Sequence, residues 1–387
     1  MTAAPTAHGA VPTGHDRGCP LRIVFLSHTG RSSVFRIGSH QLAREMAAAG
    51  HDVVHISNPI SLAHVAMLRD AEVRRRLRMA VPLRWQVIDG VRYAVPWSVF
   101  PLIPDPLRRP LTLGSTTILR RMLHKAGFHR PDLLLVDQPL FDFLVPVVGA
   151  NTVVYRPTDI NAADLARRAE DRLVPRVAGV VATSGVVARA LAERFPEQRY
   201  AVVENGVETA HFASVGRPFE QRRGAVYVGA LDRRFDWDAV VAMACAVPDQ
   251  PVDLYGPLVS AVPHLPANVR LHGPVDYAEV PAVLAAHRVG LLPLNDDVTN
   301  SGRSPMKLYE YLAAGLTVVA RATAPMTALG LSDVQGYTDP ADAPARLVDG
   351  LDRAPSGDGA AAAAAMDWAG RARLLLAECE RLAGTGH

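Results

Sequence analysis

The sequence predicts an α/β protein made of two parallel-sheet domains that face each other across a cleft. Three observations carry that expectation. Short apolar, β-branched runs alternate with helix-period segments along most of the chain, which is the grammar of strand–helix–strand crossovers in a parallel sheet. The alternation halts over the polar, aperiodic residues 206–222 and then resumes. The 387 residues, 49% hydrophobic and 20% charged, suffice for two ordinary domains and exclude wholesale disorder.

Residues 1–20 are rich in Ala, Thr, Gly, Pro and His and lack the basic-then-apolar pattern of a secretory signal. They are expected to form a disordered tail, with an expression artefact as the alternative. The first domain is expected over 21–205. Arg22-Ile23-Val24-Phe25-Leu26-Ser27 reads as a buried strand, His28-Thr29-Gly30 as a loop, 38–49 as a helix stopped by Gly50, and 52–56 as the next strand. Residues 61–80 read as a helix ending in the basic run Arg74-Arg75-Arg76-Leu77-Arg78. Residues 81–109 hold Trp85, Tyr93, Trp97 and Phe100 among several prolines. They read as an irregular excursion that either lines an acceptor site or covers the sheet. Strands follow at 133–136, 152–155, 179–182 and 200–203, with helices over 162–177 and up to Phe195, and Asn161 as a cap for the first of these.

After the linker the second domain is expected over 223–360. Its strands are 225–228, 252–255, 269–272, 289–292 and 317–320, and its helices 237–246, 278–286 and 306–314. The break Pro355-Ser356-Gly357-Asp358-Gly359 divides a mostly helical end, and 361–387 are expected to pack near the first domain. Two open parallel sheets place a ligand crevice at the carboxyl ends of their strands.

The formal charge of +3 does not call for a nucleic-acid partner. Of 41 basic residues only Lys125 and Lys307 are lysines, so a lysine at a particular place carries more information than usual. Cys19, Cys245 and Cys379 are widely spaced and odd in number. They fit a reducing compartment and neither a disulfide scaffold nor a metal site. No apolar run approaches the roughly 20 residues needed to span a bilayer, while the basic helix beside apolar residues 73–109 permits peripheral membrane contact.

The most informative stretch runs from Asn300 to Gly315. Ser304 can cap a helix and Pro305 suits its first position. Such a helix start offers unpaired N–H groups and a positive dipole end to a diphosphate. Lys307 adds a full charge in the same turn, and Glu310 shares its face and can accept two ribose hydroxyls. The same residues also make an ordinary capped surface helix with a Lys–Glu neighbour pair. They do not match a Walker-type loop, because the glycines and the following Ser or Thr are missing. At Tyr227-Val228-Gly229-Ala230-Leu231-Asp232-Arg233-Arg234 a strand runs into Gly229, which permits close backbone approach. Arg233 or Arg234 can reach a phosphate there or face solvent. Asp159 follows a strand and a proline, so it is either a base on a cleft loop or a cap for the next helix. His28 is either a cleft contact or a packed loop histidine, and His40 on a predicted helix is structural or an edge contact. Asp137 and Asp142 are further base candidates. Asp296-Asp297 is an acidic pair without a strand context that would make it a metal motif.

In order and spacing, these segments resemble nucleotide-sugar glycosyltransferases of the GT-B fold, two Rossmann-like domains. They are similar both to the large retaining, family-4-type clan of bacterial polysaccharide enzymes and to the inverting glucuronosyltransferase that builds xanthan. The resemblance rests on Phe35 to Ala43 with Gly50-His51, on Asn205-Gly206-Val207-Glu208 with Phe212, on Val226 to Gly229, on His272-Gly273-Pro274-Val275, and above all on Ser304 to Gly315. It implies transfer of a sugar from a nucleotide diphosphate donor, UDP-linked, to a saccharide, lipid-linked or small-molecule acceptor, with no tightly bound cofactor and no metal. It implies donor-phosphate roles for Lys307, Ser304, Arg233 and the Gly229 turn, a ribose role for Glu310, and a catalytic role for Asp159. Arg36 and Arg156 become acceptor or cleft contacts. A cytoplasmic location, free or at the inner membrane face, follows from the same resemblance. Many of these transferases carry a glutamate eight residues before the ribose glutamate. Here that position is Gly302, which favours the inverting comparison. An epimerase or a non-catalytic nucleotide-sugar binder on the same fold remains the competing class.

Overall fold

The computed structural model describes residues 19–28, 38–61, 71–80, 85–98, 108–161, 163–295 and 306–384. The first domain contains β1 (Arg22–Leu26), α1 (Gly38–Ala48), β2 (Asp52–Ile56), β3 (Ile60–Ser61), α2 (Ala71–Ala80), β4 (Gln86–Ile88), β5 (Val91–Ala94), β6 (Trp97–Ser98) and α3 (Arg108–Lys125). It continues with β7 (Leu133–Val136), α4 (Val145–Val148), β8 (Thr152–Tyr155), α5 (Asp164–Leu173), β9 (Gly179–Ala182), α6 (Gly185–Ala192) and β10 (Tyr200–Val202). Its main sheet runs β10-β9-β8-β7-β1-β2-β5-β4. The pairs are parallel except the antiparallel β4–β5 hairpin. Both faces of the sheet are covered, so its central strands read as continuous apolar runs. All four residues of Leu133-Leu134-Leu135-Val136 are buried. Alternate side chains feed opposite cores: Ile23 and Phe25 one, Val24 and Leu26 the other.

The linker carries α7 (Thr209–Phe212). The second domain contains β11 (Ala225–Val228), α8 (Trp237–Ala246), β12 (Val252–Tyr255), β13 (Val269–Gly273), α9 (Val280–Ala285), β14 (Val289–Leu292), α10 (Met306–Ala313), β15 (Thr317–Arg321), α11 (Ala324–Ala328), β16 (Val334–Tyr337), α12 (Ala343–Asp352) and α13 (Asp358–Ala365). Its six strands are all parallel, in the order β13-β12-β11-β14-β15-β16. A last helix, α14 (Trp368–Gly384), leaves this domain. It buries Trp368, Ala372, Leu375, Cys379 and Leu382 in the core of the first, against α1.

The chain therefore crosses between the domains twice, and the crossings touch. Val207 N–H donates to the Met366 carbonyl at 2.8 Å, and Val207 bridges Asp367 in parallel. A Cβ on Gly206 would lie 2.7 Å from the Met366 carbonyl oxygen and 3.0 Å from the Trp368 ring, so only glycine fits there unless the backbone shifts.

Three local expectations are corrected. Residues 85–98 are not irregular. Asp89 and Gly90 both take positive φ, 51° and 77°, as a two-residue hairpin turn requires, and β4 and β5 pair around them. Trp85 packs on the sheet and Tyr93 is buried within the core, so these two aromatics serve packing. In 61–80 a helix is described over Ala71–Ala80, and Ile60–Ser61 forms a strand paired with β6; residues 62–70 lie outside the described residues. Asn161 does not cap α5, whose N-cap is Ala163. Its amide donates instead to Glu170 at 2.7 Å and to the Tyr155 hydroxyl at 3.2 Å.

Candidate active site

Strand order in the first sheet reverses between β7 and β1. The crevice at such a switch point is where open α/β sheets bind ligands. His28 follows β1, Asp137 follows β7, and Arg156 to Asp159 follow β8. Arg156 is fully buried. One guanidinium nitrogen stands 3.4 Å from Asp137, both side chains being 1% exposed, and another donates to Asn205 at 2.9 Å. Arg156, expected as an acceptor or cleft contact, is a buried brace between the sheet and the linker entry. Asp137 Oδ2 and Arg156 Nε have no hydrogen-bond partner among the described residues. Burial pushes the Asp137 carboxyl up, against the pull of Arg156, His28 and Ser27.

Asp159 is half-buried on the loop beyond. The Thr183 hydroxyl fixes that loop by donating to the Thr158 carbonyl at 3.1 Å, and the Thr158 hydroxyl reaches Asp159 at 3.4 Å. Asp142 is committed elsewhere, accepting from Arg172 Nε at 2.6 Å. His40 is buried, its ring 4.7 Å from that of His55.

Across the cleft, Gly229 follows β11. Backbone N–H groups alternate sides along a strand, so those of Gly229 and Leu231 reach the end of β12 and the segment just beyond it, donating to the Tyr255 and Pro257 carbonyls. On the other side β14 pairs only as far as Val226. The Tyr311 hydroxyl takes the Val228 N–H at 2.9 Å, and the Ala230 N–H has no acceptor among the described residues. Lys307, in the first turn of α10, donates to the Val228 carbonyl, and its ammonium lies 5.7 Å from the centre of the Tyr227 ring. A Cβ on Gly229 would sit 2.6 Å from that ammonium. The helix start and the glycine turn, 79 residues apart, are therefore one site.

Glu310 stands one turn along α10, half-buried, with no hydrogen-bond donor among the described residues. Burial raises its carboxyl above the usual carboxylate range, and Lys307 and His211 pull it back. Arg233 is exposed. Arg234 is gripped by Asp232, with Nε 3.0 and 3.1 Å from its two oxygens. That bond holds the guanidinium in its charged form against the effect of burial, with smaller contributions from Tyr227 and from Asp159. Ser304, Gly302, Arg36 and the pair Asp296-Asp297 lie outside the described residues. Among the described residues no group of three or more His, Cys, Asp or Glu could hold a metal, and no helix is long and apolar enough to cross a membrane.

One assembly was not anticipated. Glu208, in the linker, accepts from Arg44 at 2.8 Å and Gln41 at 3.2 Å in α1, and from the Tyr277 hydroxyl of the second domain at 3.0 Å. Tyr277 stacks on His211, with ring centres 4.4 Å apart and planes 8° apart. The sequence signal was Glu208 and Phe212 in the linker-entry segment, with His211 between them unremarked.

Two family models divide the chain along the same line. Residues 38–211 match Glycosyltransferase Family 4, and residues 233–378 match a glycosyl transferase-like family. The two Rossmann-like domains make a fold of the GT-B type, and each is similar to a glycosyltransferase family. A putative teichuronic acid biosynthesis glycosyltransferase, TuaH, from Bacillus subtilis is 26% identical over 211 residues, covering 47% of this chain and 53% of the relative. The match thus spans about half of that protein's length. Among solved structures, sucrose-phosphate synthase from Thermosynechococcus elongatus superposes with a TM-score of 0.65 at 16% identity, covering 95% of this chain and 100% of that one. HepE of Anabaena, solved with UDP and glucose, gives 0.64 at 12% identity over 93% of this chain and 100% of its own. At these identities the likeness is one of fold.

Proposed function

We propose that this GT-B chain transfers a sugar from a nucleoside diphosphate donor, UDP-linked as in HepE, to an acceptor hydroxyl with inversion. The observation that supports this most is the lodging of the Lys307 ammonium on the Gly229 turn. It concentrates a full positive charge, a helix N-terminus and an open N–H where a departing diphosphate needs its growing charge stabilised. Arg234 adds a pinned guanidinium, with exposed Arg233 beside it, and Glu310 offers a carboxylate to the ribose. Asp159, on the loop after β8 of the other domain, is the base that takes the acceptor proton as its oxygen attacks the anomeric carbon. The bond from that carbon to the diphosphate oxygen breaks, and the nucleotide leaves with the electron pair. The acceptor is a saccharide, free or lipid-linked, or a small molecule.

The test begins with nucleotide sugars offered singly with candidate acceptors. The anomeric configuration of the product is then read by NMR. Asp159→Asn should keep donor affinity and lower kcat by about 10²–10⁴-fold; near-normal turnover removes Asp159 as the base. The family-4 match over the first domain favours a second reading, retention, which a product with the donor's anomeric configuration would establish.

A further inference from the structure

We infer that His211 is a second reader of the donor ribose beside Glu310, and that the pair selects ribonucleoside over 2′-deoxyribonucleoside donors; this rests on the ribose role of Glu310 proposed above. α7 packs directly on α10, the helix that carries Glu310. Burial raises the Glu310 carboxyl, and His211 is one of the two groups, after Lys307, that draw it back down. His211 Nε2 lies 3.0 Å from the Tyr277 carbonyl oxygen. A carbonyl can only accept, so Nε2 carries the proton. In the neutral ring Nδ1 is then an acceptor, and it has no partner among the described residues.

The ring is set before any ligand arrives. Tyr277 stacks on one face, and Phe212 meets it edge-on with ring centres 5.1 Å apart. Tyr277 is itself fixed through its hydroxyl to Glu208, which Arg44 and Gln41 hold. Groups immobilised in this way lose little freedom on binding. Glu310 is likewise without a hydrogen-bond donor among the described residues. Two acceptors on neighbouring elements suit a vicinal diol, which presents two O–H donors. Glu310 takes one hydroxyl and Nδ1 the other. With Glu310 alone, a sugar lacking the 2′-hydroxyl could still satisfy the carboxylate through its 3′-hydroxyl. The second acceptor makes the missing hydroxyl costly, because a site built to receive a hydroxyl rejects a ligand that lacks it.

The test is calorimetric, on the full chain, with UDP, GDP and ADP each compared with its 2′-deoxy counterpart; the tightest pair is carried forward. Wild type should prefer the ribonucleotide. His211→Ala should shrink that preference by about threefold to tenfold, the worth of one neutral hydrogen bond. His211→Gln, which can keep the donor to Tyr277 but loses the acceptor at Nδ1, should do the same and serves if the alanine variant unfolds. His211→Asn, which restores an acceptor near Nδ1, should retain most of the preference. Binding of pyrophosphate should not change in any of the three. If Glu310→Gln abolishes the preference while the His211 variants leave it intact, the inference is wrong and the Glu310 reading stands. If none of these variants alters it, or if wild type shows no preference, both fail.

Discussion

Replacing Gly229 by alanine tests the site at its tightest point. The new Cβ would lie 2.6 Å from Lys307 Nζ, 2.7 Å from the Tyr227 hydroxyl and 2.9 Å from Lys307 Cε. Gly229 is not among the glycines of positive φ, so the effect is steric alone. Tyr227 cannot yield easily, being 4% exposed with its hydroxyl on the Ala230 carbonyl at 3.0 Å. The flexible end of Lys307 must move. Because it can, stability should fall only by the lower part of the about 1–3 kcal/mol typical of overpacking. Donor binding should suffer more. A charge-assisted hydrogen bond to phosphate contributes about 1.5–3 kcal/mol, so displacing the ammonium should weaken nucleoside diphosphate binding by about 10- to 150-fold. Calorimetry on Gly229→Ala, Lys307→Met and the double variant gives the coupling. If the glycine acts through the lysine, the double variant should bind little worse than Lys307→Met. Wild-type affinity in Gly229→Ala, or losses that simply add, would refute the reasoning.

Two further outcomes concern the frame of the site. Arg156→Met should cost about 3–5 kcal/mol in urea unfolding, because it strands Asp137 in the core, and Arg156→Met with Asp137→Leu should recover most of it. Against the effect of burial, Arg44, Tyr277 and Gln41 hold the Glu208 carboxyl below its ordinary 4.5. A group lowered in this way stabilises the folded chain above its unfolded value and loses that contribution as pH falls through the folded one. Glu208→Gln should therefore reduce stability at pH 7 by about 1 kcal/mol, allowing for partial exposure of the pair. At pH values below that of the folded carboxyl the variant and wild type should converge, as read from urea midpoints at both ends of the range.

What could be read in advance was local. Leu133 to Val136 and Val289 to Leu292 are buried through every residue, so hydrophobicity alone marked them. The helix expected over 237–246 forms as Trp237–Ala246, and Asp236 caps it by accepting from Ala239 N–H at 3.0 Å. The hairpin at Asp89-Gly90 was missed because surrounding prolines and aromatics masked a turn dipeptide. The strand Val334–Tyr337 was missed because Gly336 interrupts its apolar pattern. At the site, glycine beside a basic turn and a lone lysine at a helix start were visible as chemistry, and their contact was not. The same holds for Glu208, whose partners Gln41 and Tyr277 stand 167 and 69 residues away. The family resemblance put Arg156 among the acceptor or cleft contacts. Its burial is decided by Asn205 and Asp137, which no pattern around position 156 reveals.

The paired crossings at Gly206–Val207 and Met366–Trp368 have a consequence for how the two halves can move. Two ribbons of backbone clipped side by side resist sliding and leave rotation about their common line as the easy motion, like covers turning on one spine. They also mean that the first half is not a continuous stretch of chain. Severing the polypeptide after residue 206 would release a first half stripped of the helix that roofs it, with a tryptophan-shaped hollow open to water.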